Sequence, residues 1–226
     1  MYLIILFICL SIFLYVIHYF AHDDFVILKK NVSMEQIFNV VFITLAFVFF
    51  ISRLFFIILN LRSSYLNPIV FLAFPYFPGF SLTGAVVGGS AFLLWYLKKK
   101  RFPVKRILDF FSTSLLTVIP VYLFLNVLIY RKFLIGPILE GIFFTLLLII
   151  FYTFILPKYF AGKIKDGFPT GLFFIGYFLI TLLTEILEKK NIYYIIIQTA
   201  ILSVALIIVI GFLVREKIIP KLKDLK

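Results

Sequence analysis

The chain has 226 residues, 64% of them hydrophobic, 20% aromatic and only 14% charged. A soluble domain carries about 45–50% apolar and about 25% charged residues, so this composition needs lipid as its solvent and excludes both a water-soluble globule and a disordered chain. One Cys excludes an internal disulfide framework, and the placement of the basic residues has to explain a net charge of +12.

Seven apolar stretches follow in chain order: Met1–Phe20, Ile37–Asn60, Phe80–Leu97, Ile107–Tyr130, Phe133–Leu156, Phe168–Leu187 and Tyr193–Val214. Each is long enough to cross a hydrocarbon core of about 30 Å at about 1.5 Å per residue. All are predicted to be helices, because a helix satisfies its own backbone hydrogen bonds in lipid. The expected fold is therefore all-α. It is a polytopic bundle of seven transmembrane helices forming a single integral membrane domain over residues 1–226. The first stretch has neither a basic n-region nor a small-residue cleavage site, so it is expected to remain as a helix. Bulky residues before Cys9 (Leu6-Phe7-Ile8) also fail as a lipobox, and Cys9 reads as a buried, inert thiol. Asn67–Gly79 is apolar but carries Pro68, Pro75, Pro78 and Gly79, and it reads as an interfacial or re-entrant run-in to the third span.

Lys and Arg set the orientation. Sixteen of the 22 follow spans one, three and five or lie in the tail, six of them in Lys98, Lys99, Lys100, Arg101, Lys105 and Arg106. Five lie on the other side, at Arg62, Arg131, Lys132, Lys189 and Lys190, and Arg53 alone falls within a span. The amino terminus is thus expected outside and the carboxyl terminus in the cytoplasm. The basic excess faces anionic headgroups, and no nucleic acid is expected as a partner.

Intramembrane polar groups are the informative ones, since each is costly in lipid. Arg53, Asn126, Glu140 and Glu185 come from four spans and share the outer half of the bilayer under this topology. They are expected to face one interior cavity. The plainer alternative pairs Arg53 with Glu140 or Glu185 and leaves Asn126 as a tie between helices. Asp109, at the cytoplasmic mouth of span four, reads as an interfacial ion pair with Lys105 and Arg106. His18 and His22 stand four apart near Asp23 and Asp24, a spacing that can serve a metal. With no Glu between them and a helix end as the setting, they read as interfacial residues, and no metal is expected. No phosphate loop, G-x-S-x-G or C-x-x-C is present, and no cofactor is expected. Gly84, Gly88 and Gly89 form a small-residue face that serves close helix packing or the approach of a lipid.

The string Gly79-Phe80-Ser81-Leu82-Thr83-Gly84-Ala85-Val86-Val87-Gly88-Gly89 resembles the G-L-S-F-H-G-G-L-I-G-G segment of the prolipoprotein diacylglyceryl transferases. Ile51-Ser52-Arg53-Leu54-Phe55-Phe56 is similar to that family's G-A-R-L-G-Y. A basic loop and then an Asp, here Asp109, follow the third span in both. Asp166-Gly167-Phe168-Pro169-Thr170-Gly171-Leu172-Phe173-Phe174-Ile175-Gly176-Tyr177 resembles R-G-x-x-x-G-L-F-L-L-G-Y.

The resemblance implies a multi-pass protein of the bacterial cytoplasmic membrane. It also implies an enzyme that moves the diacylglyceryl group of phosphatidylglycerol onto the lipobox cysteine of a preprolipoprotein. The implied partners are that phospholipid and a lipobox segment. Arg53, Gly84, Asn126 and Glu185 are the implied substrate-binding residues, and Glu140 is expected to join them from the intramembrane polar cluster. The family's His and two site arginines fall on Thr83, Leu123 and Thr181, while its Asn and Glu are kept as Asn126 and Glu185. Threonine and leucine can neither activate a thiol nor hold a departing phosphate. The resemblance therefore leaves two readings, a transferase or a non-catalytic lipid- or lipopeptide-binding protein on the same scaffold.

Overall fold

The computed structural model describes residues 2–59, 79–130, 135–188 and 192–223. They form α1 (Tyr2–Ala21), a short α2 (Phe25–Lys29), α3 (Met34–Leu59), α4 (Leu82–Lys99), α5 (Val104–Tyr130) and α6 (Ile135–Ile150). A π-helical turn, Phe151–Ile155, then leads into α7 (Leu156–Phe160), followed by α8 (Phe168–Leu187) and α9 (Ile192–Lys223). No strand occurs among the described residues. Of the Asn67–Gly79 run-in only Gly79 is described; the rest, like Arg62, Arg131, Lys132, Lys189 and Lys190, lies outside the described residues.

Among the described residues, five helices are long and apolar enough to cross a membrane: Ile4–Ala21, Met34–Leu59, Val104–Ile129, Gly136–Phe160 and Phe168–Leu187. The other two expected spans correspond to the 18-residue α4, which ends on Lys98 and Lys99, and to the 32-residue α9, which contains the apolar stretch Ile195–Ile208. The chain is an all-helical membrane protein.

Local chemistry explains where the helices begin. Ser33 and Gln36 make a reciprocal capping box, Ser33 Oγ accepting from Gln36 N at 3.2 Å and Gln36 Oε1 from Ser33 N at 3.1 Å. This starts α3 at Met34, ahead of the apolar run. Asp24 caps α2 through Val26 N and Ile27 N, and Ser81 caps α4 through Gly84 N at 3.1 Å. Gly167 enters α8 at φ 94°, a left-handed conformation that suits glycine, and Pro169 follows within the first turn, where its missing N–H costs nothing. Within α5 the hydroxyls of Thr113, Ser114 and Thr117 donate back to the carbonyls of Asp109, Phe110 and Thr113, so polar side chains cross the bundle satisfied.

The hub is α5, which packs on α1, α4, α6 and α8. The principal neighbour of α3 is α4, while α9 packs on both α8 and α4. Two apolar cores stack along the bundle. One joins Phe13, Ile17, Val41, Leu97 and Phe110 at the end that carries the Lys98–Arg106 loop, hereafter the basic end. The other joins Val86, Leu116, Phe144, Phe173 and Leu202 toward the opposite end. Large apolar side chains such as Phe7, Phe42, Leu146, Leu179 and Ile207 remain exposed all round. An apolar exterior of this kind is what a lipid solvent requires.

Candidate functional site

The end of the bundle opposite the basic loops concentrates buried polar side chains. Arg53, Ser52, Ser81, Thr83, Thr181, Thr184, Glu185 and Gln198 are all buried there, drawn from α3, α4 with its cap, α8 and α9. A close approach of α3 and α4 positions the first of them. An added Cβ on Gly84 would meet Phe55 Cβ at 2.5 Å and Ser52 Cα at 3.3 Å; on Gly88 it would meet Ile51, and on Gly89 it would meet Val48. The glycine face of α4 is therefore filled by α3, and the packing role of these residues is direct. Close apposition also lets Ser81 N donate to Ser52 O at 3.1 Å, fastening the chain just before α4 to the far end of α3.

Arg53 lies against that joint with 1% of its surface exposed. Its Nη1 donates to the Gly79 carbonyl at 2.7 Å, and its guanidinium stands 5.7 Å and 5.9 Å from the ring centres of Phe56 and Phe80. Carbonyl and ring faces together suit a cation held away from water. Two residues beyond the Ser81 cap, Thr83 Oγ1 accepts from Gln198 Nε2 at 2.7 Å, which draws α9 onto α4. Sequence reasoning missed Gln198. Its signal was present, a lone amide within an otherwise apolar stretch (Ile195-Ile196-Ile197-Gln198).

On α8, Tyr177, Thr181 and Glu185 recur every fourth residue and are all buried, so they line one inward stripe. Thr181 donates to the carbonyl of Tyr177 at 2.8 Å and Thr184 to that of Ile180 at 3.0 Å, so both hydroxyl protons are committed within the helix. Gly176 faces Leu147 of α6 and Gly136 faces Glu188, which fixes an antiparallel register placing Glu140 level with Thr184 and Glu185. Gly141 faces Phe124 of α5, so half-buried Asn126 and half-buried Glu140 sit at the same level. Leu123 is buried in the adjoining apolar core. Arg53 and Thr83 thus lie on the adjoining α3 and α4, while Asn126, Glu140 and Glu185 share a level on α5, α6 and α8. Packed on both α4 and α8, α9 joins them.

At the basic end the structure corrects the reading of Asp109. It is no exposed ion pair: only 1% of it is accessible, and its carboxylate accepts from Tyr159 Oη at 2.9 Å, Gly167 N at 2.6 Å, Thr170 N at 3.0 Å and Thr170 Oγ1 at 2.6 Å. Arg106 pairs elsewhere. Its Nε and Nη2 donate to Asp24 Oδ2 at 2.9 Å and 2.6 Å, its Nη1 donates to Asp166 at 2.8 Å, and its plane lies 4.3 Å over the Tyr159 ring. The physical reason is the helix surface. Asp109 turns inward toward the start of α8, whereas Arg106, three residues earlier, looks out between the α1–α2 turn and the α8 approach. His18 and His22 lie nearby with ring centres 5.1 Å apart, and His22 Nδ1 contacts Asp23 at 2.7 Å. Among the described residues no three His, Cys, Asp or Glu are grouped to hold a metal.

Comparison with protein-family models, with curated proteins and with solved structures gives no match to this chain.

Proposed function

We propose that the chain is a divergent relative of the prolipoprotein diacylglyceryl transferases that binds phospholipid without transferring it. In this reading it crosses a bacterial cytoplasmic membrane seven times, amino terminus outside, and the buried polar end lies in the outer leaflet. The observation that supports it is the burial of Arg53, Thr83, Thr181 and Glu185, from three helices, at one end of the bundle. These are positions the sequence resemblance matches to that family's site. Buried cations and carboxylates at depth are costly in lipid and are retained where they meet a polar ligand. Phosphatidylglycerol is the ligand the resemblance implies, and a lipobox segment is the second.

The chemistry argues against turnover. A cysteine thiol at neutral pH is only a few per cent thiolate and needs a base or a positive field to react. The departing glycerol phosphate needs donors placed for its charge, and loss of one such donor commonly costs about 10²- to 10³-fold in rate. Thr83 is held by Gln198, the Thr181 proton is bonded to its own helix, and Leu123 has no polar atom. A mass-spectrometric assay with phosphatidylglycerol and a lipobox peptide tests this. We expect no thioether product above the no-enzyme background. A product that disappears in Arg53→Ala would favour the second reading, an active transferase rebuilt around that buried cation.

A further inference from the structure

We infer that Gln198 selects the headgroup of the bound lipid by hydrogen-bonding a donor that the headgroup carries, a hydroxyl or an ammonium. The inference rests on the lipid-binding reading above and adds the residue that gives it specificity. Gln198 is 6% exposed, and its Nε2 is used by Thr83 at 2.7 Å. Its Oε1 is buried and has no hydrogen-bond partner among the described residues. An amide has a donor end and an acceptor end, and Thr83 occupies one of them. A buried polar atom left over costs about 1–3 kcal/mol unless something binds it, so a lone amide in an apolar helix is retained for a partner.

The position fits a headgroup. Thr83 lies two residues past the Ser81 cap of α4, and Gly79, two residues before that cap, is held by the buried Arg53 guanidinium. A phosphate near the cation and the amino end of α4 would set its hydroxyl- or amine-bearing arm within the same turn as Gln198. The neighbouring hydroxyls do not compete for Oε1. Ser52 donates to the Phe49 carbonyl at 3.1 Å, and Thr181 and Thr184 donate to carbonyls of their own helix. Gln198 Oε1 is thus an acceptor left at this end for a ligand's donor.

The test uses the detergent-solubilised full-length chain titrated with dioleoyl phosphatidylglycerol, phosphatidylethanolamine or phosphatidylcholine, read by native mass spectrometry and by the rise in Tm. The wild type is expected to retain a lipid with a headgroup donor about fivefold more tightly than phosphatidylcholine, the worth of one hydrogen bond. Preference for phosphatidylglycerol alone identifies a hydroxyl, and preference for phosphatidylethanolamine alone identifies an ammonium. Gln198→Leu is expected to bring the lipids within about twofold of one another, with a lower lipid-free Tm because the buried Thr83 Oγ1 loses its donor. Should Gln198→Leu not be recovered folded, Gln198→Met carries the same comparison. Equal retention of all three lipids by the wild type, or a preference that survives in the Gln198 variant, overturns the inference. Retention of none of them sinks the lipid-binding reading itself.

Discussion

Thr170 donates twice to one oxygen of Asp109, through its backbone N–H at 3.0 Å and its hydroxyl at 2.6 Å. With Gly167 N on the other oxygen, a carboxylate from α5 serves as the cap that the amino end of α8 does not supply for itself. Phe168 N is taken by the Lys165 carbonyl and Pro169 has no N–H, so the first turn of α8 is fully accounted for. The helix dipole favours the negative charge placed there.

Removing that carboxylate should be costly. Asp109→Ala strands the donors of Tyr159, Gly167 and Thr170 together, and a loss on the order of 3 kcal/mol or more is expected. Thr170→Val removes only the hydroxyl and should cost about 1 kcal/mol. Thermal unfolding of both variants in one detergent checks the order; equal loss would show that the backbone bonds contribute little.

The Arg106–Asp24 pair should behave as a unit. Asp24 caps α2 with one oxygen and accepts two guanidinium bonds with the other, and both side chains are largely buried. Arg106→Lys cannot reproduce the forked contact to Asp24 and the reach to Asp166 at once. In a double-mutant cycle with Asp24→Asn and Arg106→Gln, a coupling of about 1–3 kcal/mol is expected. Additive losses would show that the pair contributes nothing beyond its separate members.

Gly84→Ala should weaken the α3–α4 contact by about 1–3 kcal/mol, because the new methyl meets Phe55 Cβ and the Ser52 backbone, and neither can swing away. Phe55→Ala removes Cγ but keeps the clashing Cβ, so it should restore little of the loss in the double variant, whereas Phe55→Gly should restore more.

Orientation is tested by a single label. Lys100→Cys in an otherwise cysteine-free chain, Cys9 replaced by Ala, should resist an impermeant thiol reagent in intact cells and react after permeabilisation. Labelling in intact cells would invert the proposed topology.

Much of the fold is legible in the sequence because lipid imposes a simple rule, and apolar length alone predicts helix. Phe168–Leu187 is found as read, and the other stretches differ by one to four residues at their ends, except that α9 runs nine residues past Val214. The differences have a common cause. Hydropathy registers where the chain turns apolar, whereas a helix starts at its cap, so Ser33 and Gln36 carry α3 to Met34 ahead of Ile37. The small helix α2 escapes a hydropathy reading altogether, since its signal is one capping aspartate before five residues. The site was half legible. Arg53 and Glu185 stand out as charges in apolar runs, and both are buried. The Thr83 partner of Gln198 and the true surroundings of Asp109 do not, because they depend on contacts across 115 and 50 or more residues of sequence, which no local pattern encodes.

The reach of the Asp109 contacts also constrains how the protein is made. Its partners lie 50, 58 and 61 residues further along, and those of Arg106 lie 82 residues before and 60 after. A nascent chain that has threaded α5 into the bilayer therefore carries a carboxylate whose hydrogen-bond donors are still on the ribosome. Until α8 arrives, Asp109 must stay wet at the membrane surface or shelter against the translocation machinery, and only then can α5 settle to its final depth. A chain stopped short of Thr170 should therefore present the quality-control proteases with an α5 whose Asp109 still lacks its partners on α8.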